Sequence, residues 1–158
     1  MRAAVVVPSH ERAGPLARLL DALRRQTVDD FEVVVVLDGS RDGSARMLAE
    51  RRDPYVLRWT SQPRRGAAAA RNAGVAMTSA PVVLFLDDDV VPQPDCLARH
   101  LEQHRVGGRA VVGDCPIVLP GRPRAHDLTG WAWWLDFNHR RAATPRPRTY
   151  RDVCGGNL

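Results

Sequence analysis

Three short aliphatic runs, each ending on a polar or acidic residue, constrain this chain more than any other feature. They are Ala3 to Val7 before Pro8-Ser9, Phe31 to Leu37 before Asp38, and Val82 to Leu86 before Asp87-Asp88-Asp89. Runs this short and this rich in valine read as strands covered on both faces, the habit of parallel sheets. Between them lie helical stretches. Gly14-Pro15 opens a helix whose Leu16, Leu19, Leu20 and Leu23 fall on one stripe, and Asp42-Gly43-Ser44 starts another that runs to about Arg52. Tyr55 to Thr60 reads as a further, shorter strand, Gly66 to about Met77 as an Ala-rich helix, and Pro94 to His104 as a helix with Asp95 in its first turn. Strands alternating with helices predict an α/β fold with a mostly parallel sheet flanked by helices.

At 158 residues the chain can bury a real core, and 44% apolar with 26% charged residues is the balance of a globular protein. The apolar runs are far shorter than the ~20 residues a membrane span requires. The N-terminus has no signal-peptide pattern, so the expected location is cytoplasmic. The net charge of +5 is carried by arginine, with no lysine in the chain. Those arginines are scattered among 18 acidic residues and few aromatics, which argues against nucleic acid as a partner. Cys96, Cys115 and Cys154 have neither zinc-site spacing nor the count of a disulfide framework. His100 and His104 share a helix face without the zinc-protease order, and a solvated face is the expectation.

Chemistry concentrates where the strands end. In open α/β sheets ligands bind outside the carboxyl ends of the strands. Ser9, Asp38 and the Asp87-Asp88-Asp89 cluster all lie at such ends. Three successive carboxylates repel one another unless a cation sits among them, and a turn that aims two oxygens to one side suits Mg2+ or Mn2+ with a ligand's phosphates completing the shell. The competing reading is a solvated acidic turn. Asp38-Gly39-Ser40-Arg41-Asp42-Gly43-Ser44 is either a tight turn whose Ser and Asp cap the next helix, or it places Asp38 against the ring or ribose of a nucleotide. Arg71, amid Ala67 to Ala70 and Ala73, either reaches a phosphate or makes an ion pair with some Asp. A nucleotidyltransferase would want a Gly-rich loop where Pro8-Ser9-His10-Glu11-Arg12 stands, and a D-x-D-x-T phosphatase a Thr at Val91.

Four segments in order, VVVPSHERAGPLARLLDALRRQT, VVVVLDGSRDGS, QPRRGAAAARNAGVA and VLFLDDDVVPQPDCL, resemble the signature of family 2 glycosyltransferases of the GT-A fold. The likeness covers essentially the whole chain and is strongest from Ala3 to His104. It implies transfer of a sugar from a nucleoside-diphosphate-sugar to an acceptor hydroxyl, inverting and dependent on Mn2+ or Mg2+. By that resemblance Pro8, Ser9, Glu11, Asp38, Arg71, Asp87 and Asp88 belong to the donor pocket. Asp89 is then the metal ligand, while Asp87 or Asp88 holds the ribose or a metal-bound water. Gly155, Gly156 and Asn157 resemble the later G-G-N segment that borders the acceptor. Residues 1–108 would form the nucleotide-sugar-binding subdomain, and 109–158 the start of an acceptor-binding one.

The resemblance places the catalytic base in an acidic motif beyond G-G-N, and no such motif follows here. The alternative is therefore a non-catalytic nucleotide-sugar-binding fragment. The acceptor is expected to be a saccharide or a lipid-linked sugar. The stretch from Arg140 to Arg151 either meets anionic head groups, giving peripheral association with the inner face of a membrane, or is a solvated loop. Trp131 to Phe137 either stacks on a sugar or lipid surface or is a buried amphipathic helix.

Overall fold

The computed structural model describes residues 1–106, 110, 111 and 113. Trp131 to Phe137, Arg140 to Arg151, Gly155-Gly156-Asn157 and the rest of the expected 109–158 subdomain, apart from residues 110, 111 and 113, lie outside the described residues. Residues 110, 111 and 113 belong to no helix or strand.

The elements alternate as the apolar runs require. In chain order they are β1 (Ala3–Ser9), α1 (Ala13–Leu23), β2 (Phe31–Asp38), α2 (Ser44–Glu50), β3 (Val56–Gln62), α3 (Ala67–Val75), β4 (Val82–Phe85) and α4 (Cys96–Gln103), with a 3-10 turn at His104–Val106. The four strands form one parallel sheet in the order β3-β2-β1-β4. Every residue of β1 and β2 is buried, as their unbroken valine runs predict. The edge strand β3 is half exposed, and at seven residues it equals β1 in length rather than being shorter.

One side chain set points to each face of a strand, and the helices follow that alternation. Leu16, Leu19, Leu20 and Leu23 of α1 join Val5, Val7, Val33, Val35 and Leu37 in one core cluster with Leu48, Leu84, Leu86 and Leu97. Each leucine buried there contributes about 1.5–3 kcal/mol. The opposite face takes α3, which packs on β1 and β2. Approach is closest at Gly74, where an added Cβ would lie 2.4 Å from Val6 Cγ1. Only glycine lets the helix sit that near the sheet.

Several boundaries differ from the sequence reading. β1 continues through Pro8 and Ser9 instead of ending at Val7. Val6 presents its carbonyl to Leu86, and Pro8, two residues on, has the same orientation. Its missing N–H therefore faces the end of β4, where the ladder has stopped, and costs no sheet hydrogen bond. Asp95 sits at the α4 N-cap without a side-chain cap bond, and its carboxylate instead accepts from Arg99 Nε at 2.7 Å. His100 is buried at 6% exposure, so the expectation of a solvated histidine face fails there. The α4 face that carries His100 also carries Leu97, which is in the core. Among the described residues no helix is long and apolar enough to cross a membrane.

Candidate functional site

Strand register and the turn that follows β4 assemble a polar row along the carboxyl edge of the sheet. β2 pairs with β3 so that Asp38 lies level with Gln62. β1 pairs with β2 so that Ser9 is level with Leu37, which puts His10 beside Asp38. The β1–β4 ladder ends at Val6 and Phe85, and beyond it the turn after β4 brings Asp88 to the end of β1 at Ser9. Side-chain bonds then follow the register. Gln62 Nε2 donates to Asp38 Oδ1 at 2.8 Å, His10 Nδ1 donates to the Asp38 carbonyl at 2.7 Å, and Ser9 Oγ donates to Asp88 Oδ2 at 2.7 Å.

Asp38 is 4% exposed and tightly held. Besides Gln62, the backbone amides of Arg65 and Gly66 donate to its two oxygens, each at 2.8 Å. Burial pushes this carboxyl up, but the Gln62, Arg65 and Gly66 donors outweigh it and hold the carboxyl below its ordinary value. The turn after it depends on Gly39, whose φ of +76° and 2.9 Å Cβ approach to Arg64 Cβ both exclude a side chain.

The acidic cluster follows β4 in a turn closed by Val90 N–H donating to the Asp87 carbonyl at 3.1 Å. Its three carboxylates go separate ways. Asp87 accepts from Arg71 Nη2 at 2.6 Å, the ion pair that one reading of Arg71 expects. Asp88 is 6% exposed and faces Ser9. Burial pushes its carboxyl up; the Ser9 hydroxyl and the Arg12 charge pull it down, and Asp89 and Asp87 push it up again, with a net rise. Asp89 is the open member, with a side chain 54% exposed, and accepts from Arg12 Nη1 at 2.5 Å. Among the described residues the three carboxylates thus meet two guanidiniums.

From the sequence, Arg12 and Gln62 had no role, and Ser40 and Asp42 only that of a turn and helix start. Gln62 had a usable signal, because it ends β3 as Asp38 ends β2. Asp42 Oδ2 accepts from Ala13 N–H at 2.7 Å and Asp42 Oδ1 from the Ser44 hydroxyl at 2.6 Å, so one carboxylate anchors the starts of α1 and α2. Glu11 holds a positive φ of 54°, uncommon for a residue with a side chain. Its N–H donates to Ser40 Oγ and its carboxylate accepts from Arg41 N–H, which pins the β1–α1 loop to the β2–α2 loop. Pro8, Ser9, Glu11, Asp38, Arg71, Asp87, Asp88 and Asp89 therefore all sit at one end of the sheet.

The chain matches the family described as glycosyl transferase family 2 over residues 4–158. It is 36% identical over 125 residues to the validoxylamine A glucosyltransferase of Streptomyces hygroscopicus subsp. jinggangensis, covering 75% of this chain and 30% of that protein. An undecaprenyl-phosphate 4-deoxy-4-formamido-L-arabinose transferase of Pseudomonas fluorescens is 36% identical over 109 residues, covering 65% of this chain and 32% of that protein. The chain thus spans less than a third of the length of either relative. The solved structure of S. aureus TarS 1-349 in complex with UDP-GlcNAc superposes with a TM-score of 0.60 at 26% identity, over 70% of this chain and 37% of that one. Mannosyltransferase PcManGT from Pyrobaculum calidifontis, in complex with GDP-Man and Mn2+, gives a TM-score of 0.62 at 30% identity, over 66% of this chain and 32% of that one. With a parallel sheet that matches these GT-A glycosyltransferases and a family match running from residue 4 to residue 158, the chain belongs to glycosyl transferase family 2.

Proposed function

We propose that this chain binds a nucleoside-diphosphate-sugar along the carboxyl edge of its sheet and is the donor half of an inverting, metal-dependent glycosyltransferase. The observation that carries this reading is the polar row Gln62, Asp38, Ser9, Asp88 and Asp89, laid out by the β1–β2–β3 register and the turn after β4 where α/β sheets take their ligands. Asp38, kept ionised by three donors, is an acceptor for an N–H of the base or an O–H of the ribose. Pro8, Ser9 and Glu11 line the same pocket, and Asp87 and Asp88 face the ribose and the metal's water shell.

The donor set suits a hard divalent ion. Among the described residues no three His, Cys, Asp or Glu side chains surround one point. Mg2+ and Mn2+ take one or two protein carboxylates and fill the shell with phosphates and water. Asp89, half exposed and outermost in the cluster, is the residue that would hold it. A metal there supplies positive charge against that building on the departing nucleoside diphosphate. The chain's own part is to orient the donor, with Asp38 at one end of the row and Asp89 at the other. Gly155, Gly156 and Asn157 would border the acceptor, a saccharide or a lipid-linked sugar, the latter in line with the undecaprenyl phosphate in the name of one relative.

Calorimetry with nucleoside diphosphates and Mn2+ or Mg2+ tests the reading. At least one nucleotide should bind in a metal-dependent way, and Asp89→Ala should weaken that binding tenfold or more, about 1.4 kcal/mol. If no nucleotide binds, or if Asp89→Ala keeps the metal-dependent affinity, the proposal fails. A sugar-transfer assay on the same polypeptide separates a binding fragment from an enzyme that completes the reaction.

A further inference from the structure

We propose that Arg12 is an exchangeable counter-ion of the donor site, which competes with the divalent metal for Asp89 and, once displaced, binds the diphosphate that accompanies the metal. The inference rests on the donor-site reading above.

The Arg12 carbonyl accepts the Leu16 N–H at the start of α1, but its side chain does nothing for the helix. Arg12 occupies the N-cap of α1 and makes no side-chain cap bond. The first amide of that helix, Ala13 N–H, is satisfied by Asp42 instead. The backbone delivering it passes through Glu11 at φ 54°, a conformation that a side chain makes costly, and two bonds from the β2–α2 loop hold it there. Strain kept in place beside a charged side chain points to a use for that side chain.

The contacts say what the use is. A single nitrogen, Nη1, reaches Asp89 Oδ2 at 2.5 Å and Asp88 Oδ1 at 3.4 Å. The second distance is too long for a strong bond. The Arg12 side chain is 50% exposed, so its pairing is made in water and is cheap to exchange. A divalent ion on Asp89 would stand within a few ångströms of the guanidinium, and two cations that close repel. The metal and Arg12 therefore exclude one another at this carboxylate. Nη1 alone makes both carboxylate contacts, so the Nε and Nη2 edge of the fork is not committed to them. That planar edge matches a phosphate's paired oxygens, and the anchored loop keeps it beside the cluster after displacement.

A static ion pair and an exchangeable one differ in how they affect the metal alone. Electron paramagnetic resonance of free Mn2+ measures its affinity without nucleotide, and calorimetry with UDP and GDP at saturating Mn2+ measures the diphosphate. Arg12→Gln should raise the affinity for Mn2+ alone about three- to tenfold by removing the competitor. The same variant should weaken diphosphate binding about tenfold, and Arg12→Lys should restore part of that loss. Thermal unfolding of the variants, compared with the parent, checks that the fold is kept. If Arg12→Gln leaves Mn2+ affinity unchanged, or leaves diphosphate affinity unchanged, the exchange is overturned even though the parent binds nucleotide. If the parent binds neither UDP nor GDP with Mn2+, the donor-site reading itself has failed for these nucleotides, and the two failures are told apart.

Discussion

Asp38 and Asp88 are both buried carboxylates at the same edge of the sheet, with β1 between their strands, yet their surroundings push them in opposite directions. Asp38 is met by an amide side chain and two backbone N–H groups, all neutral dipoles held by β3 and the start of α3. Asp88 is met by one hydroxyl and a long contact from Arg12, and it has a carboxylate on each side. The first is complete as an anion. The second is left by burial and its two carboxylate neighbours with a raised carboxyl, which the proposed cation beside it would stabilise as an anion. Burial by itself thus says little about a carboxylate's role, and the donors around it say much more.

The comparison is broken most severely at Asp38. Asp38→Ala orphans the Gln62, Arg65 and Gly66 donors, and urea unfolding should show a loss of about 2–4 kcal/mol. Ser9→Ala should cost about 1 kcal/mol and push the Asp88 carboxyl further up, measurable by NMR titration of its side-chain carbon. Asp88→Asn should change stability by less than about 1 kcal/mol, in the stabilising direction at neutral pH, because it removes a charge that the fold disfavours.

The pH dependence separates the two residues by sign. The folded-state value of Asp38 lies below the ordinary 3.8, so its stabilisation is present above that value and is lost as pH falls through the folded one. The folded-state value of Asp88 lies above 3.8, so its contribution is present below that value and is lost as pH rises through the folded one. Stability curves of Asp38→Asn and Asp88→Asn against pH should therefore diverge from the parent in opposite senses across the acid range. Parallel curves would sink the contrast.

Much of the fold was legible in the residues. Val33 to Val36 predict a doubly covered strand because nothing in them tolerates water, and Leu16, Leu19, Leu20 and Leu23 predict the helix face that covers it. The reach of β1 through Pro8 was not legible, because a proline in a strand is excused only when its neighbour strand has already ended. The burial of His100 was missed for a similar reason. Helical spacing puts it on a face with Leu97, but which face turns inward depends on what packs there. At the site, Ser9, Asp38 and the acidic cluster could be placed on one edge from strand ends alone. Arg12 was given no role because it belongs to no pattern of charge or periodicity, and Gln62 none because the strand it ends was read as stopping at Thr60.

The sequence by itself determined the order of strands and helices, the parallel sheet that such alternation demands, and the edge on which the acidic residues gather. Those follow from local rules, in which apolar runs must be buried and polar residues fall where strands stop. Only the tertiary structure decided which partner each carboxylate takes: Arg71 for Asp87, Ser9 for Asp88, Arg12 for Asp89 and three neutral donors for Asp38. Those partners lie on other elements, 16 residues apart for Arg71 and Asp87 and 79 for Ser9 and Asp88. They meet because parallel strands end at one edge and the loops there pack together, which is a property of the assembled sheet.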